Sequence, residues 1–233
     1  MFFTTRLLPP SLYFSGEQSY KVVIKQDGGP TTYAIINGTV EQVELTHSVV
    51  DYVNSTLQYN KIIKSEGLAQ IYIVFSDGSA SDFNHKLKLV YHLVFGEKNT
   101  QKADDFGVFN MTKSKVHPCR ALALFAPDIW DPEGVNYGES RHKIQVLDIG
   151  SFSFAKECLV EELGHALFHV PDRWSVFAKE TIFNSQAQKD PISVFSSSDV
   201  HLIKFLDSNF VQHGMNEYQL WIAYSKYLVS LFH

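Results

Sequence analysis

The chain has 233 residues, 45% of them hydrophobic and 19% charged, which is enough apolar material for one sizeable core and too much for a disordered protein. A net charge of -5 with a pI near 6.0 carries no electrostatic footprint for nucleic acid. No apolar run approaches the ~20 residues that span a bilayer, and the N-terminus, with no basic opening stretch and with Pro9-Pro10 interrupting its apolar part, does not read as a signal peptide.

Lys21-Val22-Val23-Ile24 and Thr32-Tyr33-Ala34-Ile35-Ile36 are β-type runs flanking Asp27-Gly28-Gly29-Pro30, so they read as a hairpin. Residues 40–57 carry Val43, Val49, Val50, Val53 and Leu57 at near-helical spacing. Ile71-Tyr72-Ile73-Val74-Phe75 is a strand that ends at the turn signal Ser76-Asp77-Gly78. Leu87, Val90, Tyr91 and Val94 predict a second helix, closed by Gly96. A weaker strand is expected over 106–111, and stronger ones over 121–125 and 144–149. The Pro-, Gly- and Asp-rich stretch 127–142 between the last two reads as a long loop, and long loops in compact domains often carry function.

A helix is predicted over 153–168, with Pro171 forbidding much extension. Ser196 to Asp199 reads as an N-cap with a carboxylate in the first turn, opening a helix to about residue 211. A last helix, about 216–232, places Leu220, Trp221, Tyr224, Leu228 and Leu231 on one face. With no repeat, low-complexity tract or linker, the expectation is one domain spanning 1–233. Residues 1–150 are expected to mix strands and helices, and residues 151–233 to be helical. The expected class is α+β.

The chemistry-bearing motif is Glu161-Glu162-Leu163-Gly164-His165, inside an apolar helix. In the zinc-hydrolase signature H-E-x-x-H, two His on adjacent turns grip the metal and the Glu is the general base. Here Glu162 and His165 fit, and Glu161 stands where the first His belongs. Zinc accepts carboxylate oxygen as well as imidazole nitrogen, so Glu161 and His165, with His169 if the helix continues, are the candidate ligands and Glu162 the candidate base. Glu180, Asp199, His201, His117 and His142 are further ligand candidates, Asp199 being better explained as a cap. The non-metal alternative has the two Glu capping or facing solvent and His165 as a hydrogen-bonded core histidine.

Other chemistries fail on geometry. Cys158 and His165 lie about 10 Å apart along a helix axis, too far for a thiolate–imidazole pair. Glu161 and Glu162 diverge, unlike a glycosidase pair. Glu162-x-x-His165 matches one di-iron element, but that fold needs four long helices and a second element. No phosphate loop or nucleophile elbow is present. Asn37-Gly38-Thr39, Asn54-Ser55-Thr56 and Asn110-Met111-Thr112 match the glycosylation pattern, which acts only in a eukaryotic secreted protein. Cys119 and Cys158 bridge if their strand and helix run side by side; otherwise they are two buried thiols.

From Cys158 to Met215 the sequence resembles a bacterial family of unknown function, mostly exported proteins, grouped with the zincin-like peptidases. That family's helix reads roughly C-x-x-E-E-x-x-Q, followed by a Pro-Asn-Asp-like turn, an Ile-Phe-Asn element, an Asp-led helix and a Gly-Met. The counterparts here are Cys158, Glu161, Glu162, Pro171-Asp172, Ile182-Phe183-Asn184, Asp199 with Leu202-Ile203, and Gly214-Met215. His165 departs from the family's Gln and makes this helix more zincin-like. The resemblance implies a zincin-like fold, with a small mixed sheet, a central motif helix and C-terminal helices, and a periplasmic or secreted location. It implies no reaction. Two functions follow as expectations. One is a non-catalytic module of the cell envelope that binds a protein or peptide through Trp130, Tyr137 and Arg141 in the aromatic loop. The other is a metal-dependent peptidase using zinc, with a degenerate motif.

Overall fold

The structure is a computed structural model, and it describes residues 30–105, 107–110, 119–124, 144–150, 154–168, 194–212, 215 and 217–232. Eleven elements follow in order: β1 (Thr31–Ile36), α1 (Val40–Thr56), β2 (Ile62–Lys64), β3 (Ile71–Phe75), α2 (Ala80–Phe95), α3 (Glu97–Asp105), β4 (Cys119–Leu124), β5 (Ile144–Ile149), α4 (Ala155–Phe168), α5 (Ser197–Asp207) and α6 (Glu217–Ser230). The strands form one five-stranded mixed sheet in the order β2-β1-β3-β5-β4. β2, β1, β3 and β5 run parallel, and β4 alone pairs antiparallel, with Cys119 opposite Ile149 and Arg120 opposite Asp148.

The fold is therefore mixed α/β. Within the expected mixture of helices and a mixed sheet, the strands are mainly parallel and alternate with helices, an α/β arrangement. Parallel neighbours need crossovers that put helices on the sheet faces, and both faces are covered here. β3 and β5 are buried along their whole length, which is why they read as nearly unbroken apolar runs. Ile71, Ile73, Phe75, Leu147 and Ile149 point to the face that also receives side chains of α1, α4, α5 and α6. Tyr72, Val74, Ile144 and Val146 point the other way, onto Phe83, Leu87, Val90 and Tyr91 of α2.

The helix ends follow sequence chemistry. Thr39 and Gln42 form a capping box at α1: Gln42 N–H donates to Thr39 Oγ1 at 3.3 Å, and Thr39 N–H donates to Gln42 Oε1 at 2.9 Å. Ser79 caps α2, and Gly96 ends it at φ 80, a conformation that favours glycine. Ser196 and Asp199 cap α5 as expected from the sequence, and that helix stops at Asp207, short of residue 211.

Three expectations change. The strand expected over 106–111 is absent among the described residues of that stretch: 107–109 are a turn, with Gly107 at φ 73. The apolar pair Val108–Phe109 is buried, but as the closure of α3 onto α2, not as a strand. α3 and β2 are additions that no apolar pattern predicts. The first strand of the 21–36 hairpin lies outside the described residues, and β1 itself pairs with the parallel strands β2 and β3.

Two side chains tie the α1–β2 connection. The Asn54 amide pairs with both backbone groups of Ile62, accepting from its N–H and donating to its C=O, each at 2.8 Å. The Asp207 carboxylate, fully buried at the end of α5, accepts from the backbone N–H groups of Gln58 (2.5 Å), Tyr59 (2.7 Å) and Asn60 (3.0 Å), and from the Asn60 side-chain amide.

Candidate functional site on helix α4

Helix α4 follows β5 and packs on β4, β5 and α1. Nine of its 14 residues are buried, so it is enclosed around most of its circumference. Gly164 and Ala166 sit among the buried positions, where small side chains let neighbours approach. Cys158 reaches β4 directly: a disulfide joins it to Cys119, with the two Cα atoms 5.6 Å apart. The strand and the helix do run side by side, which decides the cysteine pairing the sequence left open.

The motif residues divide between two environments. Glu161 and His165 are half-buried, four residues apart and therefore on adjacent turns of one face. Glu162, about 100° round the helix, is only 6% exposed. Glu161, Glu162 and His165 are each engaged in at least one interaction. A residue that sequence reasoning missed joins the stripe. Glu157 is half-buried and four residues before Glu161, so Glu157, Glu161 and His165 line up along the same side. The signal for it, an i, i+4 spacing to Glu161, is present in the sequence but falls outside the five motif letters.

As a metal site, this helix supplies one carboxylate and one imidazole from adjacent turns, a donor pair that fits a divalent cation such as zinc. Among the described residues, no group of three or more His, Cys, Asp or Glu comes together to hold a metal. A third donor would have to come from another part of the protein. His169 and Glu180 lie outside the described residues, as do His117, His142 and the binding candidates Trp130, Tyr137 and Arg141. The remaining ligand candidates are accounted for on α5. Asp199 is 1% exposed and accepts from the Ser196 N–H at 2.9 Å, so it is a cap. His201 makes a 2.9 Å hydrogen bond through Nε2 with the Tyr224 hydroxyl of α6 and stacks edge-on to that ring. Burial lowers the His201 pKa and raises that of Tyr224, which Tyr227 raises further.

A second polar group lies on the opposite sheet face. Arg120 of β4 stands opposite Asp148 of β5, and its guanidinium lies 4.9 Å from the centroid of the buried Phe83 ring. Asp148 is fully buried, a lone acid in the otherwise uncharged strand Ile144–Ile149. Strand alternation puts both residues on the α2 side of the sheet, away from α4. On the α4 side, the Tyr33 hydroxyl has a raised pKa, first through burial and then through the charge of Asp51 on α1.

Compared with known proteins, the sequence matches no protein-family model and no curated protein. Among the described residues, no helix is long and apolar enough to cross a membrane.

Proposed function

We propose that this protein is a zincin-like module of the cell envelope that binds a protein or peptide without hydrolysing it. The reading rests on the burial of Glu162. A general base must reach a water molecule and hand its proton on, so it needs an open approach. At 6% exposure Glu162 has little of one, while Glu161 and His165 beside it are only partly buried. A buried carboxylate of this kind serves better as a fixed hydrogen-bond acceptor that locks α4 in place. The Cys119–Cys158 disulfide supports an exported location, because such bonds persist in oxidising compartments. The partner-binding residues in this reading are Trp130, Tyr137 and Arg141, since amphipathic aromatics and Arg are favoured at interfaces.

A second reading, a metal-dependent hydrolase, is favoured by one observation: Glu161 and His165 share a partly buried stripe at ligand spacing, with His165 Nε2 itself shielded from solvent. In it Glu161 and His165 hold zinc and Glu162 is the base. One experiment separates the two. The untagged protein and His165→Ala are compared for metal content, and both are tested on a peptide mixture with zinc added, alongside Glu162→Gln. The binding reading expects no peptide turnover from any of the three. Turnover by the wild type that disappears in Glu162→Gln, with stoichiometric metal lost in His165→Ala, overturns it.

A further inference from the structure

The turn joining β1 to α1 is built from Asn37 and Gly38, and each has a structural reason to be there. Asn37 has φ 51, and among the described residues it is the only one other than glycine with a positive φ. Asn tolerates that left-handed conformation better than almost any other side chain. Gly38 follows because a Cβ there would lie 2.8 Å from Ile35 Cγ2 and 3.4 Å from Val43 Cγ2. The backbone thus suits Asn at position 37, and the packing suits Gly at position 38. Both residues lie at the surface, Asn37 exposed and Gly38 half-buried. Among the described residues neither the Asn37 side-chain amide nor the Gly38 N–H takes part in a hydrogen bond.

This is the chemistry of spontaneous amide loss. The Gly38 backbone nitrogen attacks Asn37 Cγ, and glycine adds no side chain of its own to block that approach. A bond forms between that nitrogen and Cγ, the bond from Cγ to Nδ2 breaks and ammonia leaves, giving a five-membered succinimide. Water then opens the ring at either carbonyl, leaving Asp or isoaspartate at position 37 and no net redox change. The other glycosylation-pattern asparagine with a small follower, Asn54-Ser55, is the internal contrast. Asn54 lies inside α1, and its amide is held by the Ile62 N–H and C=O at 2.8 Å each.

We infer that Asn37 is a self-modification site that converts to aspartate and isoaspartate in the folded protein, while Asn54 does not. The two products act differently on the fold. Aspartate adds a negative charge just ahead of the α1 N-terminus, where the helix dipole favours it. Isoaspartate lengthens the backbone by one carbon at the point where Gly38 packs against Ile35, and so loosens the β1–α1 joint.

The test is incubation of the intact protein at mildly alkaline pH, with charge-resolved electrophoresis and peptide mapping over time. A synthetic peptide spanning 33–43 and the Asn37→Gly variant run in parallel. Glycine keeps the positive φ and removes the reactive amide. The expected result is an acidic species that grows with time and maps to residue 37. Its peptide carries the mass gain of amide-to-acid conversion and a share labelled by isoaspartyl methyltransferase. The species should be absent from Asn37→Gly. If residue 37 stays amidated in the folded protein while the peptide converts, the fold protects it and the inference fails. If the acidic species persists in Asn37→Gly, the charge arises elsewhere and the inference fails equally.

Discussion

Removing the Asp207 carboxylate tests how the C-terminal helices are fastened to the sheet. The carboxylate is fully buried and accepts from three successive backbone N–H groups, those of Gln58, Tyr59 and Asn60, and from the Asn60 amide. It holds the entry to β2 across sequence separations of 147 to 149. In Asp207→Ala all four donors lose their acceptor. A hydrogen bond to a charged group contributes about 1.5–3 kcal/mol, but four converging bonds are not additive and water can enter a surface-proximal loop. The expected loss is therefore about 3–5 kcal/mol, the range for breaking a buried charged interaction from one side. Asp207→Asn keeps the volume but turns an NH2 toward N–H donors, and should cost less than the alanine. Urea unfolding followed by circular dichroism reads this directly. With a slope of about 1–3 kcal/mol per molar urea, the alanine midpoint should fall by one to a few molar. Amide exchange at residues 58–60 should accelerate more than exchange in β3. A midpoint shift equivalent to less than about 1 kcal/mol, with protection at 58–60 unchanged, would show that the carboxylate does not carry this connection.

Three other perturbations have defined outcomes. Reducing the Cys119–Cys158 bond, which closes a loop of sequence separation 39, should destabilise the fold by about 4 kcal/mol in the chain-entropy account. An unchanged urea midpoint in protein shown to be reduced by thiol titration would contradict this. Gly38→Ala should cost about 1–3 kcal/mol through the contact with Ile35 Cγ2, and the same substitution at Gly67, which has open space around it, should cost far less. Equal thermal midpoints for the two variants would refute the packing account. Burial holds the His201 pKa below its ordinary value of 6.5, so the unfolded state takes up the proton first as pH falls. The His201 contribution to stability is full above about pH 6.5 and declines below it, toward the lower folded pKa. His201→Gln should flatten that slope in a pH series of urea midpoints, and an identical slope in the variant would assign the acid sensitivity to other groups.

Most of the sheet was legible because its central strands are buried on both sides. A run such as Ile71–Phe75 has no polar position to confuse with a helix, and the Ser196–Asp199 cap announces α5. What escaped was local structure held by few apolar residues. α3 reads Glu-Lys-Asn-Thr-Gln-Lys-Ala-Asp-Asp and buries only Thr100 and Ala103, so no periodicity marks it. β2 is three residues long and owes its place to the Asn54 amide and the Asp207 tether, neither of which is a pattern in the strand itself. Val108 and Phe109 suggested a strand because apolar pairs do, but Gly107 turns the backbone there and the pair packs back onto α2.

The candidate site was legible in its letters and hidden in its orientation, for a physical reason. A surface helix shows its buried face through the spacing of its apolar residues. α4 is packed by β4, β5 and α1 at once, so apolar residues occur nearly all round it. Periodicity then cannot say which way Glu161 and Glu162 point, and in the sequence they look like a pair. The fold separates them: one joins Glu157 and His165 on a partly buried stripe, and the other is enclosed. The separation gives each candidate function its own residue. Binding a cation depends on the stripe, and so on Glu161 and His165. In the proposed binding reading, Glu162 holds the helix in register, together with the disulfide at Cys158 one turn earlier. A substitution at Glu162 that changes stability but not metal affinity, against one at His165 that does the reverse, would show that the two roles have been divided along a single helix.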